Sequence, residues 1–153
     1  MPHLKVRFDE PEHGWIGLSL ATSDEVHHYN CSYAGLGAGT FEQLTRALLA
    51  LTDQQGRYQV EWFYNPDCLR LVFTREEDQI ELVVAHVDNP FTVPIETFGW
   101  FQLRGTYDEI CLPFWRALRT LQGLYPEAEF KARWHYPFPT RQLALLTQQL
   151  GKG

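Results

Sequence analysis

The residues that could do chemistry in this 153-residue chain are few and scattered. The stretch Y-A-G-L-G-A-G-T-F-E-Q at 33–43 alternates glycines in front of a helical pattern, as a phosphate-binding loop does. A dinucleotide fingerprint, however, needs G-x-G-x-x-G between a buried parallel strand and a helix. Here Gly35, Gly37 and Gly39 give G-x-G-x-G, and Thr40 stands at the third required position. No lysine follows the last glycine, as a Walker A loop requires. Glu42 falls in the first helical turn, where it occupies the positive dipole end and repels a phosphate. The loop reads as a connection, with Thr40 as helix N-cap and Gln43 completing a capping box.

Histidine and cysteine offer little more. His27 and His28 are adjacent, so on a strand they point to opposite faces and cannot ligate one metal from one side. His27 and Cys31 share a face but lie about 13 Å apart along a strand, too far for a nucleophile and its base. Cys31, Cys68 and Cys111 are widely spaced, with no C-x-x-C pair, and predict neither a disulfide framework nor a structural zinc site. No catalytic group, cofactor site or metal site is expected.

The carboxylates cluster in turns. Asp9, Glu10 and Glu12 form one acidic turn; Glu76, Glu77 and Asp78 form another at a hairpin tip. Acid–base pairs need opposed positions in a cleft, so these runs suit a binding surface better than catalysis. If both tips lie at the same end of the sheet, they form one acidic edge. Phe98 and Trp100 stand in a stretch, N-P-F-T-V-P-I-E-T-F-G-W, whose prolines and glycine predict an irregular loop. There the aromatics either fold back over the core or offer an apolar anchor to a partner. The candidate partner-binding residues are therefore Asp9, Glu10, Glu12, Glu76, Glu77, Asp78, Phe98 and Trp100.

The elements that carry these residues follow from periodicity. Leu4, Val6 and Phe8, then Ile16, Leu18 and Leu20, alternate as a hairpin over residues 3–21. His27, Tyr29, Cys31 and Tyr33 alternate again. Phe41, Leu44, Leu48 and Leu51 recur at helical spacing, with Gly56 as the stop. Three more strands carry Tyr58, Val60, Trp62 and Tyr64, then Leu69, Leu71 and Phe73, then Ile80, Leu82, Val84 and His86. Thr106 and Glu109 predict a capping box, and Ile110, Phe114, Ala117 and Leu121 a helical face. Pro113 requires that helix to start late or to kink. A-E-F-K-A-R-W-H-Y fits helix or strand, and T-R-Q-L-A-L-L-T-Q-Q-L reads as a short last helix. Trp134, Tyr136 and Phe138 are expected to pack that helix against the body. The fold class is α+β: one domain over 1–153, an antiparallel sheet of about six strands, and two to three helices on one face.

Composition sets the broad class. A chain of this length removes roughly 70% of its unfolded surface from water, enough for a core without staples. No apolar run reaches the roughly 18 residues of a membrane span, and the N-terminus turns acidic before a signal-peptide core could form, so a cytoplasmic protein is expected. The formal charge is −6, with 15 Asp and Glu against 6 Lys and Arg in residues 1–100. That acidity argues against nucleic acid as partner and suits a basic protein partner.

The order of motifs over residues 15–146 resembles small bacterial immunity proteins of polymorphic toxin systems, including those that accompany Rhs and type VI secretion effectors. The resemblance rests on Y-N-C-S-Y at Tyr29 to Tyr33 ahead of F-E-Q-L-T-R-A-L-L-A-L, on V-E-W-F-Y-N-P, and on W-H-Y-P-F-P before a leucine-rich helix. Asn65 stands before Pro66 where such proteins often carry glutamate. The resemblance implies a non-enzymatic inhibitor that binds a cognate toxin in the cytosol and occludes its active site or substrate-binding surface. The alternatives are a homodimeric or regulatory interaction module, and a small enzyme using the His27/His28 strand.

Overall fold

The computed structural model describes residues 3–33, 39–63, 67–88 and 95–152, with side chains described except at 88 and 95–100. The chain is α+β, and its described residues form one antiparallel sheet of seven strands in sequence order. The strands are β1 Lys5–Phe8, β2 Trp15–Ala21, β3 Val26–Ser32, β4 Gly56–Phe63, β5 Cys68–Glu76, β6 Gln79–Asp88 and β7 Ile95–Gly105. The helices are α1 Thr40–Ala50, α2 Tyr107–Ile110, α3 Leu112–Leu124, α4 Glu127–Trp134 and α5 Thr140–Gly151. Helix α1 packs on β4, α3 on β1, α4 on β2 and α5 on α1.

Alternation dictates the faces, as expected for half-buried strands. Ile16, Leu18 and Leu20 are buried, and across the register Leu18 faces Tyr29 and Ile16 faces Cys31. Leu69, Leu71 and Phe73 are fully buried beside Trp62, Val60 and Tyr58. The sheet curls strongly. On a flat sheet β1 and β4 would lie about 14 Å apart, and β3 and β7 about 19 Å. Yet the rings of Phe8 and Trp62 meet at 5.8 Å, and those of His27 and Phe101 at 5.1 Å. Phe41 of α1 inserts into this curl, edge-on to Trp62, Phe130 and Trp134. Removing such a ring to alanine costs about 3–5 kcal/mol.

Several expectations are corrected. The stretch expected as a loop runs as strand β7 from residue 95; residues 89–94 lie outside the described residues. Its alternation is hidden because the register shifts twice, between Val84 and Ala85 and between Ala85 and Val87. Val84 pairs with Phe101 and Ala85 with Gly99, which leaves Trp100 as the extra residue of a bulge. This strand raises the count from about six to seven. The ambiguous A-E-F-K-A-R-W segment is helix α4, and Pro113 resolves as a break at Cys111, so the helices among the described residues number five rather than two to three. Pro113 then sits in the first turn of α3, where its missing N–H costs nothing. The Thr106–Glu109 capping box is present in full.

Thr40 is not the N-cap of α1. That position is Gly39, without a side-chain cap. Thr40 Oγ1 instead donates to the carbonyl of Glu61 at 2.9 Å, and Gln43 Oε1 accepts from the Glu61 N–H at 3.2 Å. Both side chains therefore stitch the helix to β4.

Candidate functional site

The two acidic turns do not share an edge. Among the described residues β3 meets β4 through Ser32 and Phe63, the last residue of each strand. The β4–β7 half is therefore slid along the strand direction. Glu12 lies level with Trp15 and hence with Ser32, whereas Glu76 is eight residues beyond Cys68, the partner of Phe63. Eight residues of strand span about 26 Å.

Within the first turn the carboxylates are already engaged. Arg7 holds Asp9 at 3.0 Å. Arg133 of α4 lies 2.7 Å from Glu10, 3.5 Å from Glu12 and 3.2 Å from Glu129. Its guanidinium also lies over the ring of Tyr125 at 5.4 Å. In the second turn Glu76, Glu77 and Asp78 are exposed. Glu77 has φ 55, and its carbonyl accepts from Arg75 Nε at 2.8 Å. Phe98 and Trp100 are on β7, and their side chains lie outside the description.

The structure gathers another set of residues that periodicity did not single out. His13 and Gly14, with φ 55 and 78, form a tight two-residue turn between the bridged Glu12 and Trp15. Gly14 N–H donates to the carbonyl of Arg133 at 2.8 Å and so satisfies an end of α4. The Gly14 carbonyl accepts from Tyr33 N–H at 2.8 Å. His135 caps α4 in the left-handed conformation, φ 79, a position usually given to glycine or asparagine. Its ring packs edge-on to Tyr33 at 4.7 Å, and Tyr136 lies 6.3 Å from Tyr33. Only glycine fits at 14, because a Cβ there would lie 2.3 Å from the Tyr33 ring and 2.6 Å from His135.

The outcome is an exposed aromatic patch on a fixed backbone, Tyr33 at 43% exposed and Tyr136 at 37%; Trp15, next to Gly14 in the chain, is 43% exposed on the strand face away from Ile16 and Leu18. Tyr136, expected in the core, is its rim, whereas Trp134 and Phe138 are buried as expected. Beside it opens a cleft of about 260 Å³ walled by Phe41, Trp134, Tyr136 and Phe138, with Glu42 and Gln142 as its polar side. Gln142 Nε2 and Arg46 Nη2 both donate to Glu42 Oε1, each at 3.1 Å. Trp15 was findable in advance, since its parity is opposite to Ile16 and Leu18. Tyr33 and Tyr136 are joined only by tertiary packing and had no local signal.

No protein family matches the chain, and neither does any curated protein or solved structure.

The histidine strand separates as expected. His27 faces inward, 2.8 Å from Glu25 and beside Phe101. His28 faces outward, with Nδ1 2.9 Å from Ser19 Oγ and Nε2 3.8 Å from Asp9. Serine, histidine and aspartate thus meet on the outer face across Gly17. The carboxylate is beyond hydrogen-bond distance and already held by Arg7, so it does not orient the imidazole as a triad requires. Cys31 is fully buried, and burial pushes its thiol up to about 12, away from nucleophilic thiolate. Among the described residues no three His, Cys, Asp or Glu side chains gather as a metal site, and no helix is long and apolar enough to cross a membrane.

Proposed function

We propose that this protein is an immunity protein: a stoichiometric inhibitor that binds a cognate toxin in the cytosol and covers its active site or substrate-binding surface. The observation that carries the reading is the exposed aromatic patch of Tyr33 and Tyr136, held on a backbone fixed by Gly14 and Arg133. Tyrosine and tryptophan bring large contact area at low entropic cost, and are the residues that dominate interface energetics. A backbone already fixed in the free protein has less order left to lose on binding. The resemblance in motif order points the same way, as does the net charge of −6, which suits the basic clefts of toxins that act on nucleic acid or nucleotides.

On this reading Glu10 and Glu12 form the rim of the interface. Glu76, Glu77 and Asp78 belong to a separate surface, about 26 Å along the sheet.

The test is growth. Expression of the adjacent upstream reading frame alone should arrest cells, and co-expression of this chain should restore growth. Rescue that persists undiminished with Tyr33→Ala plus Tyr136→Ala would remove the patch from the account. No arrest and no rescue would remove the immunity reading.

A further inference from the structure

Which kind of surface seats on the aromatic patch is indicated by the charge beside it. Glu10, Glu12 and Glu129 converge on one guanidinium, that of Arg133, so the group keeps an excess of two negative charges. All three carboxylates are about half exposed, and each could accept a further hydrogen bond. The same hairpin turn that carries Glu10 and Glu12 places Gly14 against the rings of Tyr33 and His135. Tyr33 and its neighbour Tyr136 thus stand beside a hairpin turn that carries excess negative charge.

We infer that the patch receives a basic protein segment whose arginine side chain lies on the exposed aromatic rings and reaches the Glu10–Glu12–Glu129 group. The inference rests on the proposed function and specifies the partner's side of that interface. Arginine is favoured over lysine because its flat guanidinium stacks on an aromatic ring and can bond a carboxylate from its edge at the same time. The protein already contains this arrangement once, in Arg133 over Tyr125 with Glu10 and Glu129 at its edge. A second guanidinium would neutralise the remaining charge, and water excluded by the rings would strengthen the pairing.

The test needs no toxin. A tetra-arginine peptide is titrated into the protein at low salt, followed by the Gly14, Tyr33 and Tyr136 amide resonances, with the matching tetra-citrulline peptide as neutral control. The expected result is saturable shifts at Gly14, Tyr33 and Tyr136 with arginine alone. Affinity should fall about tenfold in Glu12→Gln plus Glu129→Gln, which leaves Glu10 to hold Arg133. Equal shifts with citrulline, no shifts, or shifts centred on Glu77 and Asp78 would overturn the inference. The growth test separates the two claims: toxin rescue through Tyr33 and Tyr136 without arginine binding leaves the proposed function standing and the inference wrong.

Discussion

Arg133 Nη1 donates to Glu10 Oε1 at 2.7 Å, joining residues 123 positions apart. The fourth helix thereby clasps the first hairpin, and the aromatic patch lies where they meet. Arg133→Met should lower the melting temperature. The difference from wild type should narrow in about 1 M salt, where the Debye length falls to about 3 Å. Thermal melts at low and high salt check this. A loss unaffected by salt would assign the role of Arg133 to packing on Tyr125.

Two glycines should respond to alanine with opposite sign. Gly14 has φ +78 and two rings inside the space of a Cβ, whereas Gly123 lies within α3 with nothing within 4 Å. Gly14→Ala should cost about 1–2 kcal/mol from its backbone alone, with more from displaced rings. Gly123→Ala should stabilise by about 0.5–1 kcal/mol. Denaturant melts of both variants provide the comparison.

Thr40 offers a test of tether against cap. Thr40→Asp would preserve or improve a helix cap. In this structure it places a carboxylate against the Glu61 carbonyl oxygen that Thr40 now hydrogen-bonds. It should therefore destabilise, by about 1–3 kcal/mol, while Thr40→Ser stays near wild type. Improved stability in Thr40→Asp would restore the capping role.

The buried thiols make the fold sensitive to alkali. Burial raises Cys31 from an ordinary 9.0 to about 12, and it raises Cys68 and Cys111 as well. The folded state favours the neutral thiol, so its contribution is whole below pH 9 and is lost as pH rises from 9 towards 12. Each such thiol removes about 1.4 kcal/mol per pH unit across that window. Urea melts at pH 8, 9 and 10 should show falling stability, with a shallower fall in Cys31→Ser.

How much of this was legible in the sequence follows from which signals are local. Ile16, Leu18 and Leu20 declare their strand by parity, and Thr106 with Glu109 declares its helix by a capping box that needs no other segment. β7 was hidden because bulges opposite Ala85 break the parity that reveals a strand. Thr40 and Gln43 have the spacing of a capping box, but a nearby strand backbone at Glu61 competed for both side chains. The acidic turns were visible as turns; their separation follows from the register that sets Ser32 opposite Phe63, a tertiary fact. The patch was the least legible part, because Tyr33 and Tyr136 are a hundred residues apart and meet only through the clasp.

The most direct measurement is co-purification of this chain with the tagged product of the adjacent upstream reading frame, beside the Tyr33→Ala plus Tyr136→Ala variant. The account predicts a stoichiometric complex for the wild type and its loss in the variant, measured well below the melting temperature of the variant. A wild-type chain that does not co-purify, or a variant that binds as tightly as wild type, would contradict it.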